Sequence, residues 1–200
     1  MAVRQASKVR WVRLGVVSRP VKSLETNGDA YLFVEWNGQT LMAVIDGLGH
    51  GGEAYMASQK AREYVEDHAA EDVEEIIRGC DRHIRKTRGV SIGLVRIDRN
   101  TSRFSCCGVG NVETRILNKQ SRHPLSRAGI VGYSLRKIRK FEYPYDPAGV
   151  VILYSDGISS RLDLSKYPHL RRDPQRVAEQ VIDQWGKETD DATILIAVET

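Results

Sequence analysis

Thr40-Leu41-Met42-Ala43-Val44-Ile45-Asp46-Gly47-Leu48-Gly49-His50-Gly51-Gly52 decides how the rest of the chain is read. Its first six residues are apolar almost throughout, the pattern of a strand buried on both faces. The strand stops at an aspartate, and four glycines in seven residues let backbone approach something closely. Upstream, residues 30–36 (Ala-Tyr-Leu-Phe-Val-Glu-Trp) form a second β run. Asn37-Gly38 between the two supplies residues that tolerate positive φ in a two-residue hairpin. Downstream, Ala54, Ala57, Ala61, Val65 and His68 recur at helical spacing. Val73, Ile76, Ile77, Cys80 and Ile84 repeat that period behind Asp72, an N-cap residue. His68, on an apolar stripe, reads as a satisfied structural histidine.

Further strand signals lie at 9–16, 90–97, 103–109, 112–117, 150–154 and 193–198. Asp173-Pro174 opens one more helix, carried by Val177, Val181, Ile182 and Trp185. The short turns at Asp98-Arg99-Asn100 and Gly110-Asn111 predict that consecutive strands pair antiparallel. Residues 118–149 read as basic and less regular. Antiparallel runs with helices in blocks exclude a doubly wound parallel sheet and predict an α+β fold, sheets covered by helices. There is no internal repeat and no long linker, so residues 1–200 read as one domain.

Hydrophobic residues make up 41% and charged residues 28%, which excludes disorder and fibrous classes. No apolar run reaches the ~18–20 residues of a membrane span, and the first residues lack a signal core. A cytoplasmic protein is expected. Cys80, Cys106 and Cys107 are odd in number, lack CxxC spacing and have no Cys-x5-Arg setting. They read as buried hydrophobes in a reducing compartment. The net charge is +4, yet residues 119–140 alone hold seven cations and no acid. That stretch is a solvated face or a contact for an acidic or phosphorylated protein. No nucleic-acid-binding signature accompanies it, so nucleic acid is not expected as a partner.

The chemistry lies in carboxylates at strand ends. Val44-Ile45-Asp46-Gly47 and Leu153-Tyr154-Ser155-Asp156-Gly157 close buried strands, while Gly28-Asp29 and Asp190-Asp191 stand at strand entrances. A single Asp-Gly is an ordinary turn. Two at the ends of buried strands, with further acids beside strands, point to convergence. Clustered carboxylates cannot all stay ionised without compensation, and a hard divalent cation with oxygen ligands supplies it.

Asp46-Gly47-Leu48-Gly49-His50-Gly51, Ser155-Asp156-Gly157 and Asp190-Asp191-Ala192-Thr193, in that order, resemble PP2C-type serine/threonine phosphatases of the SpoIIE/RsbU branch. Residues 70–77, Thr87-Arg88-Gly89-Val90 and Cys107-Gly108-Val109-Gly110-Asn111-Val112 are similar to the stressosome phosphatases of that branch. The resemblance runs from about residue 25 to the C-terminus. It implies a PP2C-like αββα sandwich of two antiparallel sheets flanked by helices, with two Mn²⁺ or Mg²⁺ ions at one edge. By motif, Asp46 would bridge both ions and Gly47 would offer its carbonyl to one. Asp156 and Asp190 would bind the other, with Asp191 as the alternative, and Asp29 would act through water. The ions would activate a water for in-line attack on phosphorus.

Eukaryotic PP2C enzymes carry a phosphate-binding Arg where this chain has Leu24 and a His where it has Leu48. The general acid is therefore unassigned, with His50 the nearby candidate against a structural role in the turn. Arg136, Lys137, Arg139 and Lys140 are candidate substrate-binding cations. The resemblance implies phosphorylated STAS-domain or stressosome proteins as substrates. The competing readings are another two-metal phosphoester hydrolase and a catalytically silent phosphoprotein-binding module.

Overall fold

The computed structural model of the chain describes residues 11–118, 121–145, 147 and 149–200. Val9 and Arg10 of the first expected strand, and Lys119 of the basic stretch, lie outside them. Strands β2 (Asp29–Trp36), β3 (Gln39–Gly47), β4 (Val90–Asp98), β5 (Arg103–Val109) and β7 (Lys140–Pro144) form one sheet in the order β2-β3-β4-β5-β7. A second sheet runs β1-β9-β8-β6, from β1 (Val12–Arg19), β9 (Ala192–Glu199), β8 (Val150–Tyr154) and β6 (Glu113–Leu117). All the strand pairings are antiparallel.

Helices α1 (Gly52–Asp67) and α2 (Val73–His83) cover the five-stranded sheet, and α3 (Pro174–Trp185) covers the other. The four layers are thus helices, sheet, sheet, helix, as expected for an α+β αββα sandwich. β3 shows why its sequence is apolar on both faces. Leu41, Ala43 and Ile45 pack under α1 and α2, while Met42 and Val44 face the opposing sheet. All five are 0% exposed. Burial of each large side chain stabilises by about 1.5–3 kcal/mol. The backbone that carries Asp46 is therefore held firmly.

The meander expected from 90–117 is not formed. β5 and β6 follow one another in sequence but lie in different sheets, β6 pairing with β8. Gly110 (φ 87°) turns the chain there, and a Cβ on it would stand 2.2 Å from Ser91 Oγ. Val112 then enters the core between the sheets. The edge left free on β5 is taken by β7, which sequence reading missed inside the basic stretch. The apolar side chains of β7 are capped by cations: Arg139 lies over Phe141 and Arg122 over Tyr143, each 4.7 Å from the ring centroid.

His68 caps α1, its ring stacked on Tyr64 and its Nδ1 2.8 Å from the Tyr64 carbonyl, which is the structural role expected of it. The three thiols are buried and unbridged, and burial pushes each up to about 12. None is poised as a nucleophile. Among the described residues, no helix is long and apolar enough to cross a membrane.

Candidate active site

Asp29 and Asp46 face each other across the β2–β3 ladder. The Gly47 N–H donates to the Gly28 carbonyl at 3.2 Å. The adjoining Asp29–Asp46 pair is therefore of the non-hydrogen-bonded type, in which side chains stand closer. Like charges placed directly opposite destabilise a sheet. Gly47 also explains how α1 meets this edge, since a Cβ on it would fall 2.2 Å from the Ala54 carbonyl oxygen. Any larger residue would push the helix off the strand end.

The second sheet brings its own acids to the same edge. Ser155, immediately after β8, donates from Oγ to Asp29 Oδ2 at 2.6 Å and accepts from the Thr193 N–H at 3.0 Å. One hydroxyl thereby ties β2, β8 and β9 together. Asp156 follows, with Oδ2 accepting from Asn111 Nδ2 at 2.6 Å. A Cβ on Gly157 would overlap the Asp191 carbonyl oxygen at 1.8 Å, so only glycine lets these two motifs touch. Lys187 donates from Nζ to the Asp156 carbonyl at 2.5 Å and sets a cation beside the acids.

Asp190 and Asp191 differ in what they do. Asp191 is 4% exposed, and its Oδ1 accepts from the Val21 N–H at 2.9 Å, holding the segment before β2. Its Oδ2 is buried without a partner and points toward Gly28, 2.6 Å from where a Cβ would stand. Asp190 is only half-buried, accepts from the Asp191 N–H and lies within the field of Asp156.

The electrostatics record the crowding. Burial, then the Asp29, Asp156, Asp190 and Asp191 charges, push Asp46 up to about 9. Burial raises Asp29 to about 7, opposed by the Ser155 and Thr193 hydroxyls and reinforced by Asp191 and Asp190. Asp190 is also raised, by burial and then by Asp156. These groups therefore share one small volume and disfavour one another's charge. Among the described residues, no three His, Cys, Asp or Glu side chains close around an ion by themselves. Waters and backbone carbonyl oxygen must complete any shell, as is usual for Mg²⁺. An all-oxygen donor set with mutually repelling carboxylates and one orphaned carboxylate oxygen fits hard divalent cations.

His50 is exposed in the turn before α1, and among the described residues its imidazole makes no hydrogen bond. The candidate cations lie apart from the acids. Lys140 begins β7, three strands from β3, and pairs with Asp72 at 2.9 Å and Glu142 at 3.5 Å. Arg136, Lys137 and Arg139 are exposed beside it. Sequence reading missed Lys187 and Asn111 as neighbours of Asp156. The Gly110-Asn111 turn is visible in the sequence, but only the crossing between sheets brings Asn111 to β8.

Residues 37–198 match the protein family described as Stage II sporulation protein E (SpoIIE). The chain is 29% identical over 134 residues to the phosphoserine phosphatase RsbX of Bacillus subtilis (strain 168), covering 66% of this chain and 67% of that protein. A solved chain from the bacterial stressosome, described as a modular system adapted to control secondary messenger signalling, superposes with a TM-score of 0.88 at 28% identity. That match covers 93% of this chain and 98% of the other. The crystal structure of RsbX in complex with magnesium matches with a TM-score of 0.86 at 23% identity, over 98% and 99% of the two chains. At that identity the likeness speaks for the fold.

Proposed function

Because this chain belongs to the SpoIIE family of PP2C-type phosphatase domains, we propose that it is a divalent-cation-dependent protein serine/threonine phosphatase. It would convert a phosphoprotein and water to protein and inorganic phosphate. The observation that carries this reading is the convergence of Asp29, Asp46, Asp156 and Asp190 at one edge of both sheets, where burial and then the neighbouring carboxylates push Asp46 up to about 9.

In this reading the Asp46, Asp156 and Asp190 carboxylates and the Gly47 carbonyl would hold the divalent cations, and Asp29 would support them. Asp191 stands as the alternative to Asp190: its Oδ1 is committed to the Val21 N–H, while its Oδ2 is buried without a partner. Bound Mn²⁺ or Mg²⁺ would supply an activated water and neutralise the phosphoryl oxygens. The chain's own part is orientation. Ser155 and Asn111 fix Asp29 and Asp156 by hydrogen bonds, and such supports typically change metal affinity or activity by about 10–100-fold. His50, exposed in the turn that follows Asp46, would be the candidate proton donor to the leaving seryl oxygen.

The similarity to RsbX and to a stressosome chain supports a role in stress signalling, with phosphorylated STAS-domain proteins as substrates in the cytoplasm. Arg136, Lys137 and Arg139 would steer such an acidic partner, while Lys140 is already paired with Asp72. Exposed charges act mainly on association rate and fade with salt. Phosphate release from a phosphorylated STAS-domain protein is expected to require Mn²⁺ or Mg²⁺ and to fall with salt. In the Arg136→Ala/Lys137→Ala/Arg139→Ala variant it should start lower and depend less on salt. No release from any phosphorylated STAS protein would refute the substrate assignment, and an unchanged salt dependence would refute the steering role.

A further inference from the structure

An amphipathic groove adjoins the Asp46 loop. It encloses about 690 Å³ between the Leu48-Gly49 turn, α1 and the segment entering β4, with Tyr133 over its rim. Leu48, Met56 and Tyr133 are 44%, 53% and 76% exposed. With Leu24 and Tyr55 around the N-terminus of α1, they make five of the eight exposed large hydrophobics among the described residues. Concentration of apolar surface beside a site marks an interaction surface rather than chance exposure.

The walls are charged. Lys60 and Lys86 are exposed cations with no ion pair among the described residues, and Arg88 pairs with Glu53 on α1. The groove therefore carries a positive surplus over an apolar floor. Its backbone is fixed: the Leu48 N–H donates to the Gly89 carbonyl at 3.0 Å, and Val90 and Val131 exchange two hydrogen bonds at 2.9 Å. The buried Asp81 carboxylate accepts from the Gly132 N–H at 2.8 Å and anchors the Tyr133 loop. Little backbone ordering remains to oppose binding.

We propose that this groove binds the substrate segment flanking the phosphoserine and selects a large apolar side chain accompanied by acidic residues. This rests on the phosphatase reading above and names the specificity surface of that same site. Leu48 stands two residues beyond Asp46, about 7 Å along an extended chain. A phosphoserine at the carboxylates would thus place residues about two to four positions away in the groove. Charge complementarity with Lys60 and Lys86 favours acids there, and Leu48, Met56 and Tyr133 receive the apolar side chain. These residues hold the chain in register and take no part in bond breaking.

The test uses two synthetic phosphoserine peptides, one flanked on both sides by Leu and Glu and one by Ser and Lys, with p-nitrophenyl phosphate as a substrate too small to reach the groove. Wild type should favour the Leu/Glu peptide by about tenfold or more in kcat/KM, a difference typical of an anchored side chain. Lys60→Glu/Lys86→Glu and Met56→Ala should each erase most of that preference and leave aryl phosphate turnover unchanged. Equal losses on the aryl phosphate would place these residues in the chemistry, and no peptide preference in wild type would show that the groove is not a docking site; either overturns the proposal. Fluorescence anisotropy of the same peptides gives a readout independent of turnover. Selective binding with no turnover of any substrate would sink the phosphatase reading but not the groove, whereas turnover without selective binding would sink the groove alone.

Discussion

Asp46→Asn and Asp156→Asn are each expected to lower phosphatase turnover by at least about 10²-fold while the protein stays folded. Loss of a residue that merely supports a metal ligand already costs about 10–100-fold, so loss of a ligand should cost more. Asp46 has the stronger claim, because it faces Asp29 across the ladder and also feels the Asp156 and Asp190 charges. Neither substitution disturbs packing, since Asn has the shape of Asp and β3 stays anchored by Leu41 to Ile45. Steady-state rates, with circular dichroism as the check on folding, decide the matter. Wild-type rates in either folded variant would remove that residue from the site.

The second large effect is on stability, and its sign follows from the same cluster. Asp46 and Asp29 hold their protons up to about 9 and about 7 in the fold, against an ordinary 3.8 for each. A raised carboxylate contributes stability that is complete below about pH 4 and is lost as pH rises through the folded values. In chelator, the wild-type protein should therefore melt progressively lower from pH 5 to pH 9. One pKa unit corresponds to about 1.4 kcal/mol, so the fall should be on the order of 10 °C for a chain of this size. Asp46→Asn should flatten this dependence and melt higher than wild type at pH 8 without metal. Adding Mn²⁺ should raise wild type far more than the variant and narrow the gap: an ion at 100 times its dissociation constant stabilises by about 2.7 kcal/mol, and the variant should lose most of that gain. Melting curves of both proteins at three pH values, with and without Mn²⁺, measure it. A flat wild-type curve in chelator would mean that Asp46 and Asp29 are not held in a buried, charge-disfavouring cluster.

Much of the fold is legible in the sequence because β3, β8 and β9 are apolar enough to be read as buried strands, and their ends carry the acids. Asn37-Gly38 and Asp173-Pro174 state the hairpin and the start of α3 in local chemistry alone. Local chemistry does not say to which sheet a strand belongs. Gly110-Asn111 has the composition of a hairpin turn, but the chain crosses there from one sheet to the other, so β5 and β6 part. β7 escaped notice because Arg139, Lys140 and Glu142 alternate with Phe141 and Tyr143, and the cations dominate the reading. In the site, Asp29, Asp46, Asp156 and the Asp190-Asp191 pair were all legible as strand-end acids. The division of labour within that last pair was not, because it depends on the Val21 N–H, 170 positions away in sequence. Lys187 and the groove under Tyr133 likewise arise from segments that only the fold brings together.

Release of inorganic phosphate from a phosphoserine peptide, followed through chelation and metal add-back on one sample, is the most direct measurement. Turnover should vanish when the protein is stripped with chelator, with its circular dichroism unchanged, and should return on addition of Mn²⁺ or Mg²⁺ to the wild type but not to Asp46→Asn. Turnover that survives thorough stripping, or that returns equally in Asp46→Asn, would contradict a carboxylate-held divalent site as the seat of the phosphatase activity.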